Sequence, residues 1–237
     1  MADDVDRGPV LVLLHGLAGT SGVWAGLIAE LAERWPGTPV APDLPGHGRS
    51  APLDRYSFGG IAARVAADLD PTRPAVVLGH SLGGVVALAL ASGWFGVPVT
   101  AAVCLGVKVS WSPDDLAKAA ALAGKPPKTF ENRENAASWA RKLAGLPADF
   151  ADSVTLGPSG WRAALDPRAF AVGRPDLPGL LAAARCPVTL AAGERDPMSP
   201  AEHLRALTPH PVILPGLGHN AHVEDPAALW PLLERVL

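Results

Sequence analysis

The chain is predicted to fold as an α/β domain, a mostly parallel six-stranded sheet flanked by helices, and three observations predict it. Short apolar runs with β-branched character recur without polar alternation, which is the mark of strands buried on both faces. Segments with helical spacing separate those runs, and a strand–helix alternation is what a parallel sheet with crossover helices requires. A glycine-flanked serine, Gly79-His80-Ser81-Leu82-Gly83, stands at the junction of one such run and one such helix.

Taken in order, Val10-Leu11-Val12-Leu13-Leu14 is a continuous apolar run of strand length, and Val40-Ala41, Ala75–Leu78, Thr100–Leu105, Val188–Ala192 and Val212–Leu214 complete a set of six. Between them, Val23–Arg34, Phe58–Leu69, Leu82–Ser92, Ala201–Leu207 and Pro226–Val236 carry helical spacing. From about Ser112 to Arg185 the rhythm breaks. That stretch shows helical patterns over Pro113–Ala123 and Asn135–Leu143, with Pro113 just inside the first start and Gly124 just past its end, but no convincing strand. Gly157-Pro158-Ser159-Gly160 and Gly173-Arg174-Pro175 read as loops. The division that follows is a core formed by residues 1–111 and 186–237, with residues 112–185 inserted as a small helical cap.

A chain of 237 residues suits one large α/β domain with an insertion better than two full domains. The net charge of −3, with no basic run, offers no footprint for nucleic acid or for an anionic membrane surface. Although 49% of residues are hydrophobic, no uninterrupted apolar stretch approaches the ~20 residues that span a bilayer, so no stable membrane insertion is expected. The acidic Met1-Ala2-Asp3-Asp4-Val5-Asp6-Arg7 does not resemble an export signal, and a cytoplasmic location is the default expectation. Two cysteines, Cys104 and Cys186, lie in or beside strand-like runs, without metal-ligand spacing, and are expected to be buried thiols.

The serine carries the chemistry. On a sharp strand-to-helix turn its φ is forced positive, and the following helix passes so close that the positions two before and two after must be small; Gly79 and Gly83 meet that demand and Gly84 adds a third glycine. A serine hydroxyl is a poor nucleophile alone and needs a histidine to take its proton and an acid to orient that histidine. Downstream, Gly193-Glu194-Arg195-Asp196-Pro197 follows one predicted strand and Gly216-Leu217-Gly218-His219-Asn220 follows another, giving the chain order Ser81, Asp196, His219. Glu194 rivals Asp196 and His222 rivals His219. An oxyanion needs two backbone N–H donors, each worth on the order of 3 kcal/mol in the barrier. Leu82, next after the serine, supplies one; His15-Gly16-Leu17-Ala18-Gly19, immediately after the first strand, resembles the His-Gly loop that supplies the other, which implies Leu17 as its donor.

These motifs, with Pro42-Asp43-Leu44-Pro45-Gly46-His47-Gly48-Arg49-Ser50, which is similar to an Asp-x-x-Gly-x-Gly-x-Ser loop, resemble the α/β-hydrolase superfamily, in its small capped esterase, lipase and haloperoxidase-like branch. The resemblance covers nearly the whole chain. It implies that His15, His47 and Arg49 shape loops rather than catalyse. It also implies an initial two-strand hairpin, which the nine residues before Val10 leave reduced or absent.

A serine nucleophile implies acyl transfer to water: a carboxylic ester, lactone or thioester is attacked by Ser81, with no cofactor and no metal. The same triad serves carbon–carbon hydrolases and a menaquinone-pathway lyase; the latter carries an arginine after the elbow glycines where this chain has Val85. A ligand receptor on the same scaffold is a further alternative. The partner expected is a small, largely apolar substrate, with the oligomeric state, monomer or homodimer, left open. Candidate substrate contacts are Trp24, Lys108 and Trp111 near the strand ends and Trp139 and Trp161 in the cap, where Phe130, Phe150 and Phe170 are the other aromatics. Each of these cap aromatics has a competing role as glue between cap and core, and Lys108 as a solvated surface lysine.

Overall fold

A computed structural model describes residues 8–237. The core runs β1 (Val10–Leu14), α1 (Ala25–Leu31), β2 (Pro39–Val40), α2 (Phe58–Ala66), β3 (Ala75–His80), α3 (Leu82–Ala91) and β4 (Val99–Leu105). The insertion follows with α4 (Pro113–Ala123), β5 (Thr129–Phe130), α5 (Arg133–Ala144), β6 (Val154–Gly157), β7 (Gly160–Ala163) and α6 (Leu177–Ala183). The chain returns to the core through β8 (Val188–Gly193), α7 (Ala201–Arg205), β9 (Val212–Leu214), α8 (Ala221–Glu224) and α9 (Trp230–Glu234).

Six strands form one sheet in the order β2-β1-β3-β4-β8-β9, and every pair in it is parallel. Among the described residues no strand precedes β1; the acidic segment Met1–Arg7 lies outside them. Because successive side chains of a strand point to opposite faces, Leu11, Leu13, Val76 and Leu78 pack with Trp24, Leu27 and Leu31 on one side. Val12, Leu14 and Val77 pack with Ile61, Val85 and Leu88 on the other. Helix α3 is buried at all ten positions, as a helix wedged between sheet and outer layer must be.

The strand order reverses between β1 and β3: the chain first adds β2 on one side of β1, then crosses to the other side. Ligands of open α/β sheets bind at the carboxyl ends of strands at such a switch point. The loop after β1 and the turn after β3 both open there, and they contain Leu17 and Ser81 respectively.

The insertion departs from the expectation of an all-helical cap. Its strands form an antiparallel sheet in the order β5-β7-β6, and Gly157-Pro158-Ser159-Gly160 is the hairpin turn between β6 and β7 rather than a free loop, with Gly157 paired to Gly160. Strands of two to four residues are too short for an alternating pattern to register in sequence. Helix α5 begins at Arg133, earlier than its apolar spacing suggests, because the Asn132 side chain caps it by accepting from the Asn135 N–H. Helix α4 starts in a capping box between Ser112 and Asp115.

Polar contacts tie the insertion to the core at several places. Asp152 accepts from the Gly22 N–H at 2.9 Å. The Asp166 N–H donates to the Gly46 carbonyl at 2.7 Å, while its carboxylate receives the Tyr56 hydroxyl and the Arg168 guanidinium. The Asn220 amide donates to the Gly145 carbonyl at 2.7 Å. Both cysteines are free thiols; Cys104 is buried as expected, but Cys186 is only half-buried, standing just before the edge of β8. No helix among the described residues is long and apolar enough to cross a membrane.

Candidate active site

Ser81 is the residue between β3 and α3, with φ 49° and ψ −110°. Only two non-glycine residues among those described have positive φ, Ser81 and Ala18, and both belong to this site's loops. The glycines explain how so tight a turn is accommodated. A Cβ on Gly79 would collide with the Gly83 carbonyl, and one on Gly83 with the Leu14 carbonyl. On Gly84 it would come within 2.6 Å of Val107. The start of α3 thus presses against both β1 and β3, which aims Ser81 outward at their carboxyl ends.

Asp196 and His219 converge from the loops after β8 and β9. The His219 Nδ1–H donates to Asp196 Oδ2 at 2.9 Å, and the Asp196 side chain is fully buried. Asp196 Oδ1 accepts from the N–H groups of Met198 at 2.8 Å and Ser199 at 3.3 Å, so its orientation is held by backbone. With Nδ1 committed to the carboxylate, Nε2 is the ring nitrogen left for proton exchange. Gly106, at φ 64°, lets β4 pass close by: a Cβ there would stand 3.2 Å from Asp196 Oδ2 and 3.3 Å from His219 Nδ1. Neither rival takes part in this pair. The Glu194 carboxylate is exposed and accepts from the Gly216 N–H at 2.8 Å, while His222 is buried behind the site.

The N–H groups of Leu17 and Leu82 have no hydrogen-bond partner among the described residues. For Leu82 this follows from its place in the first turn of α3, where N–H groups have no intrahelical acceptor. Gly16 brings the other loop close: a Cβ there would lie 2.7 Å from His80 Nδ1 and 3.4 Å from the Ser81 Cβ. His15 serves this loop structurally. Its Nδ1–H donates to the Gly16 carbonyl and its Nε2 accepts from the Leu44 N–H at 2.9 Å, which leaves it no free nitrogen for chemistry. Asp43 accepts from the N–H groups of Ser21 and Arg49; burial raises its pKa, but these hydrogen bonds outweigh that and hold it below the usual carboxylate value.

Four buried histidines surround this arrangement, and burial depresses all of them. His15 falls to about 4, His47 and His222 to about 3, and His80 well below its ordinary value, with the neighbouring His222 and His219 adding to the depression. His80 bonds through Nε2 to the His219 carbonyl at 2.8 Å, and its ring packs on those of His219 and His222 at 4.6 and 4.3 Å. The His219 loop therefore rests on a neutral aromatic base.

Ser81 and His219 line one cavity of about 400 Å³ beneath the insertion, bordered also by Leu17, Leu82, Lys108 and Trp111. Three of the expected contacts stand elsewhere. Trp24 is fully buried in the core, its ring 4.6 Å from that of His222, because the 3₁₀ turn that carries it packs inward under β1. Trp161 belongs to β7 and packs within the insertion, and Trp139 lines a separate cavity. Phe58, Leu143, Val172 and Met198 are walls that sequence did not single out; ordinary apolar residues on helices and loops carry no signal until the chain is folded.

A buried Asp–His pair thus shares one cavity with a serine on a strained turn at the switch point of a parallel sheet. The sequence matches the alpha/beta hydrolase family over residues 11–231, and the chain belongs to that family. Among curated relatives, protein phosphatase methylesterase 1 of Bos taurus is 34% identical over 147 residues, which is 57% of this chain and 38% of that protein. The pimeloyl-[acyl-carrier protein] methyl ester esterase of Methylococcus capsulatus is 42% identical over 82 residues, 35% of this chain and 31% of that protein. The matches span less than half the length of these relatives. Among solved structures, E-2-(acetamidomethylene)succinate hydrolase superposes with a TM-score of 0.76 at 21% identity, covering 98% of this chain and 92% of that one. The enol-lactonase of Burkholderia xenovorans LB400 does so with a TM-score of 0.73 at 18% identity, covering 99% and 93%. At such identity these superpositions show the shared fold.

Proposed function

We propose that the protein hydrolyses a carboxylic ester, in the broad sense that includes lactones and thioesters, through an acyl-enzyme on Ser81. The observation that carries this reading is the Asp196–His219 hydrogen bond at 2.9 Å in a loop that shares a cavity with Ser81. In the first half-reaction the Ser81 hydroxyl oxygen attacks the substrate carbonyl carbon while its proton passes to His219 Nε2. The carbonyl π electrons move onto oxygen, where the N–H groups of Leu17 and Leu82 stabilise the negative charge. Collapse of the tetrahedral species expels the alcohol or thiol, which takes the proton from His219. Water then repeats the sequence and releases the acid. Asp196 holds the imidazolium in place through the Nδ1–H bond.

The curated relatives named as a methylesterase and a methyl ester esterase favour ester bonds over carbon–carbon bonds. Hydrolysis of p-nitrophenyl acetate by the protein and by Ser81→Ala tests the proposal, together with mass spectrometry after a fluorophosphonate probe. Turnover and a single adduct on Ser81, both lost in the variant, are the expected results. Labelling of Ser81 without turnover of any ester would move the reading to a carbon–carbon substrate or a receptor, and no labelling would remove Ser81 as nucleophile.

A further inference from the structure

The cavity holding Ser81 does not stand alone. Leu143 and Phe170, two of its walls, also line a second cavity of about 260 Å³ that lies within the insertion, between the end of α4 and β7. Its other apolar walls include Leu122, Trp139, Ala163 and Leu165. The two cavities are neighbours, with Leu143 and Phe170 as shared apolar walls. The ionised side chains in the two linings are all lysines. Lys108 and Lys142 border the first cavity and Lys125 and Lys128 the second, with no Asp or Glu in either lining. This is in a protein whose net charge is −3. Lys108 is paired with Asp115 at 3.0 Å, whereas Lys125 and Lys128 make no ion pair among the described residues. Lys128 is instead held over the rings of Trp139 and Phe130, at 4.7 and 5.1 Å from their centroids. That contact fixes a cation at the second cavity, where a solvated lysine would be free to swing away.

We propose that the substrate is an anionic amphiphile, an ester whose acyl chain passes from Ser81 between Leu143 and Phe170 into the second cavity and ends in a carboxylate at Lys125 and Lys128. The inference rests on the ester-hydrolase reading above. Apolar walls bind the methylenes, each worth up to about fourfold in kcat/KM when buried, and the two exposed ammonium groups distinguish a charged terminus from a methyl one by about fivefold, the scale of exposed ion pairs.

The test compares p-nitrophenyl octanoate with p-nitrophenyl hydrogen suberate, which have the same chain length and differ in the terminal group, with p-nitrophenyl acetate as the short reference. For the wild-type protein at low salt, kcat/KM should rise at least tenfold from acetate to octanoate and a further fivefold to the suberate. The suberate preference should shrink as salt is added. K125E/K128E should reverse the preference. Leu122→Trp, which fills the second cavity, should lower the octanoate-to-acetate ratio at least tenfold, and Ala163→Phe provides the same obstruction from β7. A suberate no better than octanoate, a preference indifferent to K125E/K128E, or a chain-length gain unaffected by both filling variants would overturn the proposal. Acetate turnover that depends on Ser81 would leave the ester-hydrolase reading standing in each case.

Discussion

Stability should fall steeply as pH drops from about 6.5 to 5, and the buried histidines set the size of the effect. His15, His47, His80 and His222 are at most 3% exposed, and burial holds the first two and the last at about 4, about 3 and about 3. The groups facing them are few. Asp43 lies near His15 and His47 and raises both, while His15 lowers His47, His80 and His222, His222 lowers His80, and His219 lowers both His80 and His222. A folded-state pKa below the unfolded value of 6.5 means that the unfolded chain binds more protons in the interval between them. The stabilisation is therefore complete above about 6.5 and is lost as pH falls toward the folded values. At pH 5 the interval already spans roughly 1.5 pH units, so one such histidine forfeits about 2 kcal/mol, and the other buried histidines act in the same direction. Even one such contribution is a sizeable part of the stability of an ordinary domain. Urea unfolding followed by tryptophan fluorescence between pH 5 and 8 measures it directly. His222→Leu should flatten the pH dependence by about one proton, since both ring nitrogens of His222 lack hydrogen-bond partners and its loss strands no other group. A stability constant to within about 1 kcal/mol across that range would refute the reasoning, because it would require these imidazoles to be protonated in the folded protein.

Further outcomes follow from the site and its supports. Asp196→Asn keeps the size of the side chain but cannot hold an imidazolium, and kcat for p-nitrophenyl acetate should fall by about ten-thousand-fold with little change in melting temperature. Gly79→Ala drives a methyl group into the Gly83 carbonyl and should cost about 3 kcal/mol or more. Gly59→Ala, where a Cβ meets nothing within 4 Å on α2, should gain about 0.5–1 kcal/mol; thermal melts of the two variants check both. Asn220→Ala removes the bond to the Gly145 carbonyl that ties the His219 loop to α5, and should lower kcat/KM about fivefold, the equivalent of one ordinary hydrogen bond.

Much of this molecule was legible from sequence, and the reasons differ by element. The inner strands of the main sheet were readable because burial on both faces makes them continuous apolar runs, and β1, for instance, spans the predicted Val10–Leu14. The elbow at Ser81 was readable because glycines are compulsory where α3 crosses β1 and β3. The small sheet of the insertion was not, since its strands are short, half-exposed and interrupted by Gly, Thr and Arg, and owe their existence to pairing partners rather than to an apolar run. Trp24 shows the same limit. Its position after the Leu17 loop suggested a wall of the cavity, but a 3₁₀ turn rotates the ring into the core, and that rotation is set by packing against His222 and β1.

Residue types and their order along the chain determined the α/β class, the inner strands of the main sheet and the set of groups that the proposed reaction draws on as nucleophile, base and acid. Those properties depend on local periodicity and on chemistry that a side chain carries wherever it goes. Only the folded chain decided that Asp196 rather than Glu194 meets His219, that Trp139 and Trp161 leave the Ser81 cavity to Leu143 and Phe170, and that a second cavity edged by Lys125 and Lys128 adjoins it. Each of these is a relation between residues far apart in sequence, fixed by how helices and loops pack over the sheet, and no local pattern encodes it.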